Sequence, residues 1–143
     1  MGSIDDRTEG TTELMRDAVC RSFEPRPEEV GAARRFAAGT VSQWGRDPAG
    51  AASVVSELAA NAAIHGRTRF TVGVGEDESN IYITVDDDNP RLPTLLHPDR
   101  RSLSGRALAI VDRLAKRWGV QPHVDNGKTV WVELDATEAM ANE

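Results

Sequence analysis

The sequence predicts an α+β fold, a two-layer sandwich in which helices cover one face of a mostly antiparallel sheet. Three observations carry this. Two stretches with a helical apolar period fill residues 27–65, two pairs of short alternating stretches are each joined by a polar turn, and a third helical period lies between the pairs. A chain of 143 residues suits one domain with one core. The expected organisation is a polar tail over 1–20, a folded domain over 21–135 and a short tail over 136–143, with no internal repeat.

The elements follow in order. "CRSFEP" is a candidate first strand. Between Pro27 and Trp44, residues Val30, Ala33, Phe36, Ala37, Val41 and Trp44 form a helical stripe behind acidic residues suited to a helix start. "GRDP" interrupts it, and Asp47-Pro48 caps and opens a second helix that runs to about His65 and closes at Gly66. "RFTVGVG" and "NIYITVDDD", joined by "EDESN", read as a hairpin. Three prolines make "NPRLPTLLHPDRRSLSG" a long loop. "GRALAIVDRLAKRWG" places Leu108, Val111, Leu114, Ala115 and Trp118 at helical spacing, a third helix. "VQPHV" and "KTVWVELDA" close the sheet as a hairpin around Asn126-Gly127, which supplies positive backbone angles.

Composition narrows the function. The formal charge of −6 argues against the basic surface that nucleic acid requires. No apolar run reaches the ~18 residues that span a bilayer, and the N-terminus has no apolar signal core, so a cytoplasmic location away from membranes is expected. Cys20 has no partner for an internal disulfide, and His65, His97 and His123 lack metal-ligand spacing.

Three stretches can carry chemistry. In "SELAANAAIHG", Glu57, Asn61 and His65 stand four apart, one above another on a helix that is otherwise apolar almost all round. A carboxylate on a covered helix needs a cation or donors to offset its desolvation, and oxygen ligands one turn apart suit Mg²⁺ bound together with substrate phosphates. In "ITVDDDNPRLP", strand parity turns Asp87 inward with Ile81, Ile83 and Val85, whereas Asp86 and Asp88 face out. An inward acceptor there suits an exocyclic amino group such as that of adenine, rather than a cation. In "SLSGRALAIV", a small-residue turn opens a helix whose first N–H groups can hold phosphate, with Gly105 permitting close approach.

"ELAANAAIHG", "VDDDNPRLP", "SGRALAIVDRLAKRWGV" and "GKTVWVEL", in that order, resemble the histidine-kinase-like ATPase domain (GHKL, Bergerat ATP-binding fold), in its actinobacterial anti-sigma-factor serine/threonine kinase branch. The resemblance spans about residues 21–135 and implies ATP and Mg²⁺ as cofactors. It implies Glu57 as the catalytic carboxylate that orients or deprotonates the attacking hydroxyl, and Asn61 as the Mg²⁺ ligand. His65 and Gly66 match the family's helix end. Asp87 matches the acceptor of the adenine amino group, and Thr129 the threonine placed near that aspartate. Gly105, Arg106, Ala107 and Leu108 match the phosphate-binding glycine box.

Two positions depart from the pattern: Asn89 stands where a small residue is usual, and Ala107 where glycine is, adding a methyl beside the phosphate loop. The implied protein is a dimeric regulator that phosphorylates a serine or threonine of a STAS-type anti-anti-sigma partner and sequesters a sigma factor. A same-fold module that only binds nucleotide or a partner is the alternative that the two departures favour.

Overall fold

Strand parity decides which side of the sheet the helices cover. The computed structural model describes residues 18–88, 103–124 and 127–137. Strands β1 (Val19–Phe23), β2 (Phe70–Glu76), β3 (Asn80–Asp87), β4 (Arg117–Pro122) and β5 (Lys128–Asp135) pair antiparallel in the order β1-β2-β3-β5-β4. Phe70, Val72 and Val74 of β2, Ile81, Ile83 and Val85 of β3, and Val130, Val132 and Leu134 of β5 are buried, each set two residues apart. Helices α1 (Pro27–Gln43), α2 (Ala49–Ala60) and α3 (Leu103–Leu114) complete the α+β sandwich. Among the described residues, no helix is long and apolar enough to cross a membrane.

Local chemistry sets the helix ends. Pro27 opens α1 with Glu28 and Glu29 in the first turn, where the partial positive charge of the helix favours them. The Asp47 carboxylate, expected as the cap of α2, accepts the Ala49 N–H at 3.0 Å from one residue further out, with Pro48 in the N-cap position. Ala33, Ala37 and Val41 of α1 and Ala51, Val55, Leu58 and Ala59 of α2 are buried, so small side chains let the two helices pack closely. Phe23 stacks on Phe70 at 5.3 Å and pins β1, an edge strand, to the core.

One element ends earlier than its pattern predicts. The third helix stops at Leu114, and Arg117 and Trp118 open β4, opposite Glu133 and Val132 of β5. Trp118 packs on the same core from a strand that a helix would have reached, so its apolar character fits either period. The strand wins through its ladder, reinforced by the Lys116 N–H donating to the Glu133 carbonyl at 2.8 Å and by the Trp118 indole donating to Asp112 at 2.9 Å.

The β2–β3 turn is fixed by Asp77. Its Oδ1 accepts the Ser79 and Asn80 N–H groups at 2.8 Å each, and its Oδ2 accepts the Tyr82 hydroxyl at 2.7 Å. Burial alone would raise the Asp77 pKa, but the Tyr82 hydroxyl, the two N–H groups and the charge of Lys116 together lower it below the ordinary 3.8. Burial and the Asp77 partner raise that of Tyr82 above 10.0. Asp77 therefore contributes stability that is present above pH 3.8 and lost as pH falls through its lower folded value, whereas the Tyr82 contribution is lost as pH rises above 10.0. Asp77→Asn is expected to cost about 1 kcal/mol at neutral pH, a difference that begins to narrow as pH falls below 3.8. Urea unfolding of both proteins from pH 7 downward through pH 3 measures it, and a gap that does not narrow below pH 3.8 would contradict this account of the turn.

Candidate functional site

β3 delivers Asp87 to the helix-covered side of the sheet at its far end. The parity argument holds: Asp87 is buried beside Ile81, Ile83 and Val85, while Asp88 is exposed. Its partner is a cation. Lys128, directly opposite on β5, places its Nζ 3.0 Å from both Asp87 oxygens, and the two side chains are 2% and 5% exposed. The expectation of an inward acceptor without a cation is corrected here. A carboxylate taken out of water needs a compensating cation, and the register of β5 provides one.

Thr129 lies elsewhere than expected. It pairs with Asp86, donates its hydroxyl to the Asp86 carboxylate and meets His123 Nε2 at 2.7 Å, all on the sheet face opposite Asp87. Successive strand residues face opposite sides, so Lys128 and not Thr129 shares a face with Asp87.

Gly127 is the residue behind this arrangement. Its φ of +88° suits glycine, and a Cβ on it would lie 2.1 Å from the Asp87 carbonyl oxygen and 2.9 Å from Asp88 Cα. The β5 backbone therefore rests directly on the strand that carries Asp87. Sequence reading finds this glycine only as a turn residue.

Glu57 and Asn61 stay together. Asn61 ends α2, donating its N–H to the Glu57 and Leu58 carbonyls, and opens a π-helical turn, Asn61–Gly66. Both side chains are half-buried, and the Glu57 carboxylate has no hydrogen bond or ion pair among the described residues. Wide turns of this kind concentrate at functional positions because they re-aim side chains without ending the helix. α2 packs against β3, and the π-helical turn packs against α3, so Glu57 and Asn61 belong to the segment that joins the Asp87 strand to the α3 helix. His65, the third member of the column, is exposed.

The turn closes at a different residue from the one predicted. Arg67, not Gly66, takes the left-handed conformation (φ 56°, ψ 41°), with the Arg67 and Thr68 N–H groups both donating to the Ala62 carbonyl. That conformation costs a residue with a Cβ about 1–2 kcal/mol. Arg67→Gly, after the greater chain entropy that glycine loses on folding, is expected to stabilise by about 0.5–1 kcal/mol. A chemical denaturation midpoint that falls would contradict it.

Of the phosphate-box positions, Gly105, Arg106 and Ala107 lie in the first turn and a half of α3, where the leading N–H groups have no intrahelical acceptor. Leu108 is buried, so its side chain serves the core. Asn89 and residues 90–102 of the proline-containing loop lie outside the described residues, as do 1–17 and 138–143, whereas Val19 and Cys20, expected in the tail, belong to β1, and Ala136 and Thr137 hydrogen-bond to Ser79 and Asp47. Among the described residues, no group of three or more His, Cys, Asp or Glu side chains can hold a metal ion.

A helix-backed antiparallel sheet, with a buried Asp87–Lys128 pair at one strand end and the half-buried Glu57 and Asn61 at the end of α2, makes a two-layer α+β sandwich. The family model for histidine kinase-, DNA gyrase B- and HSP90-like ATPases matches residues 46–138, and the chain belongs to that family. It is an ATP-binding domain of this type. No curated protein matches the sequence.

Proposed function

We propose that the protein is a Mg²⁺-dependent kinase that transfers the γ-phosphoryl group of ATP to a serine or threonine of a STAS-type anti-anti-sigma partner, and that as a dimer it sequesters a sigma factor. The observation that carries this reading is the Glu57–Asn61 pair: a half-buried carboxylate without a described partner, one helical turn from a carboxamide at the mouth of a π-helical turn. The order of the four sequence motifs supports the choice of branch.

The donor set suits a metal held jointly with phosphates. A single carboxamide oxygen from Asn61, with no cage of acidic side chains among the described residues, matches the few protein ligands that Mg²⁺ takes when nucleotide completes its shell. When bound, the ion neutralises charge on the transferring phosphoryl group. Asn61 supplies the oxygen that locates it. Glu57 accepts the proton of the partner hydroxyl and holds that oxygen in line. Asp87 accepts the adenine amino group, and the leading N–H groups of α3 face the phosphates.

Incubation with γ-labelled ATP, Mg²⁺ and a STAS-domain partner tests the proposal. Glu57→Ala is expected to retain nucleotide affinity within a few-fold, whereas transfer falls by ~10²–10⁴-fold, the usual range for a general base. Transfer at the wild-type rate would remove Glu57 from the chemistry. ATP binding without any transfer by the wild type would favour a non-catalytic binding module of the same fold.

A further inference from the structure

Ile81 lies at the opposite end of β3 from Asp87, and there it borders a cavity of about 190 Å³. Four elements enclose it. Ala51 of α2, Ile81 of β3 and Leu134 of β5 are buried in its walls, and Leu114 in the last turn of α3 is 39% exposed beside it. The rim is acidic. The Asp47 carboxylate is exposed and makes no ion pair among the described residues, and Asp135 meets only Lys116, at 3.3 Å. Glu76, paired across from Ile81, and Asp77 and Glu78 stand at the same end, so carboxylates here outnumber the cations Arg46 and Lys116.

We propose that this cavity docks a partner protein, which seats one leucine-sized apolar side chain in it and sets flanking lysine or arginine residues against the Asp47 and Asp135 carboxylates. Size selects the anchor. Pockets for cofactors and substrates run about 300–1,000 Å³, whereas a cavity of about 150 Å³ holds one benzene-sized group. A single side chain of a longer chain fits, and an anchor of that kind in a fitted pocket is where interfaces concentrate their binding energy. Charge selects the flanks, because a basic neighbour is drawn to the rim and an acidic one repelled. The segment that follows Thr137 at the rim begins with Glu138 and ends with Glu143, the wrong sign for this site. The inference stands apart from the reading of the nucleotide site, although α2 and α3 reach from this cavity towards Asn61 and Gly105.

Amide resonances of the isotope-labelled full chain test it, with three capped tripeptide amides as probes: Lys-Leu-Arg, Lys-Ser-Arg and Glu-Leu-Glu. Lys-Leu-Arg should shift Gly50, Ala51, Leu114 and Leu134 together, along one saturation curve in the millimolar range. Lys-Ser-Arg should bind about tenfold or more weaker, the worth of burying a leucine side chain, and Glu-Leu-Glu about threefold or more weaker because its charges face the rim. Gly50→Leu plugs the cavity. A Cβ at Gly50 meets only Leu134 Cδ1, at 3.7 Å, and leucine suits a helix better than glycine, so the variant should fold and bind Lys-Leu-Arg about tenfold or more weaker. Resonances that stay still at millimolar Lys-Leu-Arg, or that move equally in a folded Gly50→Leu protein, overturn the proposal. So does equal binding of Lys-Ser-Arg or of Glu-Leu-Glu, and these two comparisons decide alone if the variant does not fold. Cavity resonances that move on dilution without a probe would assign the site to a second copy of the chain. Ones that answer to Met140→Ser and not to Lys-Leu-Arg would assign it to the chain's own last residues, and either result overturns the partner.

Discussion

Replacing Gly127 by alanine is expected to cost about 2–5 kcal/mol and to lower Tm by roughly 10 °C or more. Two terms add. A side chain at a φ of +88° is strained by about 1–2 kcal/mol, and a Cβ 2.1 Å from the Asp87 carbonyl oxygen forces β5 away from β3, an overpacking cost of about 1–3 kcal/mol. Gly45 separates them. Its φ is +77° but a Cβ there meets nothing within 4 Å, so Gly45→Ala should show the backbone term alone. Thermal melts of the two variants give the difference directly. Equal losses would mean that the contact between Gly127 and the Asp87 strand carries no energy, and the site would lose its main support. Nucleotide affinity should fall in Gly127→Ala and remain in Gly45→Ala, because only the first displaces Asp87.

The second large effect is expected at the buried ion pair. Asp87→Ala leaves the Lys128 ammonium in an apolar site without its carboxylate, and breaking a buried pair from one side costs about 3–5 kcal/mol. Removing both charges should cost far less. Asp87→Leu combined with Lys128→Met replaces two desolvated ions by packed side chains, a change that is often neutral or stabilising. A double-mutant cycle by urea unfolding reads the coupling. If Asp87→Ala loses under about 1 kcal/mol, water reaches the pair and burial does not set its energy.

Much of this was legible in the residues, for identifiable reasons. Period-two alternation gives β2, β3 and β5 and turns Asp87 inward, because a one-residue slip would send Ile81, Ile83 and Val85 to solvent. The same logic applied to β5 would have found Lys128: with Val130, Val132 and Leu134 inward, a residue two before Val130 must also face in. By sequence alone Thr129 is the natural neighbour of Asp87, but the register places it opposite Asp86. The end of α3 was not legible, because Trp118 suits a helix stripe and a strand equally, and the choice is made by hydrogen bonds to β5. Arg67 hid behind Gly66. Glycine is the usual residue for a left-handed helix end, yet the π-helical turn carries the chain one residue further before it reverses.

The proposed recognition of the base by Asp87 is the point at which fold, site and function would meet. It can be tested on the unaltered protein, without the folding penalty of any substitution. Calorimetric titration, in Mg²⁺, with ATP and with purine riboside triphosphate, which lacks only the 6-amino group, isolates the hydrogen bond in question. The expected result is ATP binding at one site per chain, with the analogue weaker by about tenfold or more, the loss of one bond to a charged acceptor. Equal affinities would show that the base does not meet Asp87, and the buried Asp87–Lys128 pair would then be a structural ion pair apart from the nucleotide.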